Sequence, residues 1–278
     1  MERTIQPKIS VVIPFKNAEK YLVESINSVI NQKCNFQFEV VMIDDNSIDT
    51  SLNIAESFGG SLVLIYKSNG SGISDALNLG VRLSKGDLIA RHDADDIMQP
   101  GRLQSQFDFM LANPDHVLLG GQISYIGEVG ENEQPNYYPT TSDELESWLA
   151  KGCYLAHPTV VFKKDKFKEV GGYKRAYDGA EDYDLWLRLS EVGKIANLDI
   201  VLTKYRKHDQ QVTNRNWVRT HLKTAKVRLF WVFKILKLRS PKPKNLNAMH
   251  ISRVQILKYL LIEIAHFAVT QIRSIDRK

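Results

Sequence analysis

Two hydrophobic periods alternate along the first third of the chain. Ile9-Ser10-Val11-Val12-Ile13 is a short apolar, β-branched run, and Leu22, Ile26, Val29 and Ile30 follow it at helical spacing. The pattern then repeats: residues 38–43 read as a strand and 50–58 as a helix, 62–66 as a strand and 74–83 as a helix, and 88–90 as a strand again. Strands alternating with helices predict right-handed crossovers and a mostly parallel sheet flanked by helices, an α/β fold. Open parallel sheets bind ligands beyond the carboxyl ends of their strands, so chemistry is expected in the residues that follow each run.

Pro14-Phe15-Lys16-Asn17 follows the first strand, Asp44-Asp45-Asn46-Ser47 the second, and His92-Asp93-Ala94-Asp95-Asp96 the fourth. None is a Gly-x-Gly-x-x-Gly turn or a Gly-Lys-Ser/Thr phosphate loop, which argues against a nicotinamide dehydrogenase and a P-loop ATPase. A carboxylate repels a diphosphate, but it can hold a divalent cation that in turn holds the diphosphate. Asp93-x-Asp95 therefore predicts metal-bridged nucleotide binding. Each acidic cluster taken singly also fits turn and helix-cap chemistry, Asp96 in particular. What favours a site is that both clusters follow apolar strands on one edge of one sheet.

Composition changes the picture in one respect. With 278 residues, 43% of them apolar, the chain can bury a substantial core. Its net charge of +5 is unevenly spread: residues 204–278 carry 18 Lys and Arg against three acidic residues, which leaves the preceding body acidic. This tail, from about Trp217, predicts two helices around the break Ser240-Pro241-Lys242-Pro243. The first carries Val227, Phe230, Trp231, Ile235 and Leu238 among Lys226, Arg228, Lys234, Lys237 and Arg239; the second has an apolar stripe of Val254, Leu257, Leu261, Ile264 and Ala268. Both read as basic amphipathic helices, suited to an anionic membrane surface or to docking on the body of the protein or a second subunit. No window holds the ~20 apolar residues of a membrane-spanning helix, and residues 1–8 lack a signal-like stretch. Cys34 and Cys153 are too few for a disulfide framework and lack metal-site spacing. A cytoplasmic protein, peripheral on the inner face of the cell membrane, is expected. The tail has no recognised nucleic-acid motif, so no nucleic-acid partner is expected.

Five segments in order, ISVVIPFKN at 9–17, VMIDDNSID at 41–49, GISDALN at 72–78, GDLIARHDADD at 86–96 and EDYDLW at 181–186, resemble the ordered signature of family 2 glycosyltransferases. The resemblance spans about residues 8–212. It implies the GT-A fold, with a donor-binding half at about 1–100 and an acceptor-binding half at about 101–212. It also implies a nucleotide-sugar donor and inversion at the anomeric carbon. The basic helical tail, 213–278, lies outside it.

Carried over residue by residue, the resemblance implies Pro14, Phe15 and Asn17 at the nucleotide base and ribose, Phe15 standing where the family often has Tyr. An aromatic ring can pack on a nucleobase. One of Asp44 and Asp45 is implied to accept a hydrogen bond from a uracil-like imide N–H, and Ser74 belongs with the donor. Asp93 and Asp95 match the metal and ribose motif, with Asp95 contacting Mg²⁺ or Mn²⁺ and His208 a third ligand, as an imidazole can be. His157 and Trp186 are implied on the acceptor side. Asp182 is implied as the base, with Glu181 close enough to tune or orient it. The two also suit the first turn of a helix, where the dipole favours carboxylates.

The chemistry asks for these groups independently. Displacing a nucleoside diphosphate from a sugar needs charge neutralisation on the leaving phosphate and a base for the attacking hydroxyl, and a base opposite the leaving group gives inversion. The expected donor is a UDP-hexose or UDP-N-acetylhexosamine. The expected acceptor is a glycan or lipid-linked saccharide in polysaccharide or lipopolysaccharide assembly. A polyprenyl-phosphate sugar synthase is the nearest alternative, followed by a nucleotidyltransferase and a non-catalytic nucleotide-sugar binder. A nucleotidyltransferase usually wants a basic phosphate loop near the first strand, where only Lys16 stands.

Overall fold

The computed structural model describes residues 6–70, 72–127, 134–149, 152–208 and 217–236. Strands β1 (Ile9–Phe15), β2 (Phe38–Asp44), β3 (Val63–Lys67) and β4 (Leu88–Arg91) are parallel in the order β3-β2-β1-β4, linked by helices α1 (Leu22–Ile30), α2 (Ser51–Ser57) and α3 (Ile73–Leu83). Every residue of β1 is buried, because helices cover both faces, and this is why its sequence is a continuous apolar run. The period of two still sorts the side chains. Ile9, Val11, Ile13 and Phe15 share one core with Leu22, Ile26 and Val29 of α1, whereas Val12 shares the other with Leu77 and Val81 of α3. Gly80 lets α3 come this close, since a Cβ there would lie 2.5 Å from the Val12 side chain.

Beyond β4 the sheet becomes mixed. The chain forms β5 (Ile97–Met98), α4 (Arg102–Ala112), β6 (His116–Ile126), β7 (Gln134–Asn136) and α5 (Ser142–Leu149), then β8 (Val161–Lys163), α6 (Lys164–Glu169), α7 (Glu181–Leu189) and β9 (Lys194–Arg206). Strand β8 pairs antiparallel with both β4 and β6, β6 runs parallel to β9, and β5 lies antiparallel at the far edge. The parallel expectation thus holds for β1 to β4, where helical crossovers join neighbours. The two halves expected on either side of about residue 100 share one sheet, because β8 pairs with β4 on one side and with β6 on the other.

The first tail helix is α8 (Trp217–Leu236). Its Val227 and Trp231, four residues apart, are 2% and 7% exposed in the same core as Tyr183, Trp186 and Leu187 of α7, while Phe230 is 62% exposed. Of the two placements expected for this helix, the Val227–Trp231 stripe takes docking on the body, where it covers apolar surface on α7. The predicted second tail helix and the 240–243 break lie outside the described residues. Among those described, no helix is long and apolar enough to cross a membrane.

One buried cation ties the parts together. Arg102, the first residue of α4, is 1% exposed. Its guanidinium donates to the carbonyl oxygens of Pro158 (2.6 Å) and Arg91 (2.8 Å), to Thr203 Oγ1 of β9 (3.1 Å) and to Gln106 Oε1 (3.1 Å). Gln106 in turn donates to the Thr159 carbonyl at 2.8 Å. Burial, then the nearby Arg91 charge, lowers the Arg102 pKa to about 9, so the group remains charged at neutral pH.

Arg102→Met keeps most of the side-chain volume but takes the donor from the Arg91 carbonyl and from Gln106 Oε1 and leaves the Pro158 carbonyl with the Thr203 hydroxyl alone, a buried acceptor without its donor costing about 1–3 kcal/mol. Urea unfolding is expected to show a loss of about 3 kcal/mol or more. A loss under about 1 kcal/mol would mean that these carbonyls find other donors.

Candidate functional site

The turns after β1 and β2 are built around two asparagines in left-handed conformation, Asn17 at φ 50° and Asn46 at φ 61°, a region that Asn tolerates better than most residues. Asn17 Oδ1 accepts the Ile48 N–H at 2.9 Å, the Asn17 N–H donates to Ser47 Oγ at 3.1 Å, and Asp44 Oδ1 accepts the Ser47 N–H at 2.9 Å. The Asp45 carboxylate accepts the Gly72 N–H at 3.2 Å and lies 3.8 Å from Lys16 Nζ. These contacts knit the loops after β1 and β2 to the loop before α3. Ser74, in the first turn of α3, donates its hydroxyl to Asp178.

Two expected donor residues differ from their assignment. Phe15 is 2% exposed and packs against the α1 face, since the period of β1 puts it on the side of Val11 and Ile13. Its ring is not presented to a base. Pro14 is buried in the same strand, leaving exposed Asn17 to line the edge.

Asp93, Asp95 and Asp96 each offer a carboxylate oxygen within 4.8 Å of the others. Arg91 Nη1 pairs with Asp93, and His208 Nε2, just past the end of β9, meets Asp95 Oδ2 at 2.8 Å. Asp96 is not a helix cap. Its Oδ1 accepts the Arg206 N–H at 2.9 Å, and its Oδ2 is buried without a hydrogen-bond partner. Burial, reinforced by the Asp93 and Asp95 charges, pushes the Asp96 carboxyl well above its ordinary range; burial also raises Asp93, against the pull of Arg91. An orphaned buried carboxylate oxygen beside two further carboxylates is a donor set that fits a divalent cation. The His208 ring leans on Tyr21, with centroids 5.2 Å apart, and the Arg206 guanidinium lies 4.7 Å from the Tyr21 ring centre.

Glu181 and Asp182 open α7. Asp182 Oδ1 accepts the Tyr183 N–H at 2.7 Å, Oδ2 faces the Cys153 thiol at 3.7 Å, and Glu181 Oε2 accepts the Gly179 N–H. Burial, then the Asp182 charge, pushes the Glu181 carboxyl up to about 7, and burial raises Asp182 as well. Arg91 opposes both shifts, while the Asp182 charge contributes to the rise of Asp93. The acidic cluster on β4 and the acidic pair on α7 therefore interact around one buried guanidinium.

On the expected acceptor side, His157 Nε2 meets the Tyr173 hydroxyl at 2.9 Å, and the ring stands edge-on to Trp186 with centroids 5.5 Å apart. Burial, with Arg91 nearby, lowers the His157 pKa well below its usual value, so the ring is neutral. Trp186 is fully buried on the inward stripe of α7, so it supports His157 and offers no face to a saccharide. Sequence reasoning does not single out Arg91, Asp178 or Tyr173. A cation ending an apolar strand directly before an acidic cluster is the signal that marks Arg91; nothing local marks the other two.

A sequence profile described as Glycosyl transferase family 2 matches residues 10–171. The O-antigen biosynthesis glycosyltransferase WbnJ of Escherichia coli is 35% identical over 218 residues, an alignment covering 76% of this chain and 84% of that protein. Among solved structures, S. aureus TarS 1–349 in complex with UDP-GlcNAc is similar with a TM-score of 0.63 at 17% identity, covering 94% of this chain and 80% of that one. Mannosyltransferase PcManGT from Pyrobaculum calidifontis, in complex with GDP-Man and Mn²⁺, is similar with a TM-score of 0.61 at 17% identity, covering 96% and 76%.

Glu181 holds its proton more tightly folded than unfolded, so its ionisation opposes folding. The penalty is absent below about pH 4.5, grows toward about pH 7 and is complete above it. Glu181→Gln is therefore expected to gain stability over wild type as pH rises from 4.5 to 8 in urea titrations. A difference that is flat across that range would contradict the raised pKa.

Proposed function

The chain belongs to glycosyl transferase family 2, and from that premise we propose that it moves a hexose or N-acetylhexosamine from a UDP-sugar to a hydroxyl of a glycan or lipid-linked saccharide, with inversion. One observation carries the reading: a buried carboxylate pair opening α7 faces, around Arg91, an acidic cluster at the carboxyl end of β4. The first supplies a base and the second an anchor for a diphosphate. A role in cell-surface polysaccharide assembly draws support from the O-antigen relative, and a nucleotide-sugar donor from the two structural neighbours.

In the transfer step, the acceptor oxygen bonds to the anomeric carbon as its proton passes to the Asp182 carboxylate. The bond from that carbon to the diphosphate oxygen breaks, and its electron pair leaves with the nucleoside diphosphate. Burial raises both Glu181 and Asp182, so the pair titrates as one unit and carries the negative charge of the base only as it sheds its protons. Arg91 limits the cost of burying that charge beside Asp93. Asp45, braced by the Gly72 N–H, keeps lone pairs for an imide N–H of the base.

Asp95, Asp93, Asp96 and His208 would hold Mg²⁺ or Mn²⁺, with the orphaned Asp96 oxygen supporting this assignment. Such an ion, when bound, supplies charge neutralisation to the leaving diphosphate. The same proposal places the protein on the inner membrane surface: Leu222, Lys226 and Phe230 form an exposed line at four-residue spacing on α8, flanking its docked face.

A panel of UDP- and GDP-sugars with Mn²⁺ is expected to give one UDP-sugar that raises the melting temperature and is turned over with release of UDP. Response to GDP-sugars alone would overturn the choice of nucleotide. Asp182→Asn should lower turnover by about 10²–10⁴ while sparing donor binding. Turnover within about tenfold of wild type would remove the base from this position. Asp95→Ala should abolish metal-dependent donor binding in calorimetry, an effect that chelators should reproduce in the wild type; retained metal-dependent affinity would count against the ion site.

A further inference from the structure

A single peptide group ahead of α7 joins α8 to the proposed base. The carbonyl oxygen of Asp178 accepts a hydrogen bond from Lys223 Nζ of α8, and the N–H of the same peptide unit, that of Gly179, donates to Glu181 Oε2. A cation at the oxygen end and a carboxylate at the nitrogen end polarise the peptide in the same sense, so each bond strengthens the other. The orientation depends on Gly179, whose φ of +96° is strained for any residue with a side chain, and which lies against Thr220 of α8.

The same residue reaches the donor side. The Asp178 carboxylate accepts the Ser74 hydroxyl, and its Oδ2 is near enough to Gly72 that a Cβ there would lie 2.8 Å away. Gly72 is the residue whose N–H braces Asp45. The Asp178–Gly179 peptide thus stands between the donor loop and the base helix, and α8 holds it from behind.

We propose that Lys223 is a positioning residue for the Glu181–Asp182 pair, acting through the Asp178–Gly179 peptide, which makes α8 part of the catalytic apparatus. The proposal rests on the reading of Asp182 as the base. Glu181 is faced by Asp182 on its own helix, by Arg91 from β4, by the Tyr173 hydroxyl and by the Gly179 N–H that Lys223 steadies. Without the ammonium the peptide is free to turn, Glu181 loses its donor, and the pair retains a proton to higher pH.

The experiment uses the full chain with Lys223→Met and Lys223→Arg, each in wild-type and Glu181→Gln backgrounds. Two readouts are followed: urea stability against pH, which needs no ligand, and release of UDP from UDP-GlcNAc with water as acceptor. Lys223→Met is expected to lose more stability than wild type between pH 5 and pH 8. It should also lower UDP release about fivefold at pH 6.5, and shift the acid limb of the rate profile upward by about half a unit or more. Lys223→Arg should restore most of both, and in the Glu181→Gln background Lys223→Met should add no further pH dependence. An equal effect in both backgrounds, or an unmoved acid limb, would show that Lys223 only fastens α8 and would overturn the proposal. Should Lys223→Met fail to fold, Lys223→Gln carries the same comparison, and an unmoved acid limb in that folded variant decides against it. Asp182→Asn is run alongside: if it releases UDP at the wild-type rate, the base assignment falls, whereas a dead Asp182→Asn beside an unmoved Lys223→Met profile removes the positioning role alone.

Discussion

Crowding of negative charge is the condition that the site must satisfy before anything else. Two carboxylate oxygens 4.8 Å apart repel by about 3 kcal/mol at the effective dielectric of a partly buried site, and three such groups share the end of β4. Asp182, which with Glu181 opens α7, adds its charge to Asp93. Arg91 is the buried cation among them, paired to Asp93 and lowering the proton affinity of the α7 pair. Its own backbone is fixed from both sides: its N–H donates to the Val160 carbonyl at 2.9 Å, and its carbonyl accepts from Arg102. The two arginines thus work in series, one meeting the charge and the other holding the strand that carries it.

The first four strands and their crossovers are legible in the sequence because a parallel layer covered on both faces must be continuously apolar, and because the intervening helices keep a clean 3.6 period. The acidic clusters are legible for a related reason: polar residues concentrated at the ends of such strands have few structural roles. What is not legible is the direction of individual side chains. Phe15 and Trp186 lie within recognisable motifs, yet which face each takes depends on the helix or sheet packed against it, and both turn inward. Arg102 is hidden for another reason. An arginine in the first turn of an amphipathic helix ordinarily reads as solvent-exposed, and of its partners only Arg91 is near in sequence, Pro158 and Thr203 coming from distant stretches of chain.

The basic tail shows the limit of reading charge alone. Eighteen cations in the last 75 residues draw attention to what lies outside the protein. The inner face of α8 is decided by two apolar residues one turn apart, Val227 and Trp231, and by Lys223, whose ammonium is used internally. An amphipathic helix can therefore serve the core on one side and a surface on the other.

Continuity of the sheet from β3 through β4 and β8 to β9 has a consequence for how such a protein changes over generations. Where two lobes meet at a hinge, one can be exchanged for another and each can drift on its own. Here β8 is hydrogen-bonded to β4 on one side and β6 on the other, and the Arg102 cluster spans the join. Recombination at the midpoint would sever a ladder and uncover a buried charge. Substitutions and insertions are accordingly better accommodated at the strand ends, one loop at a time, than across the join, where each would have to preserve both ladders at once.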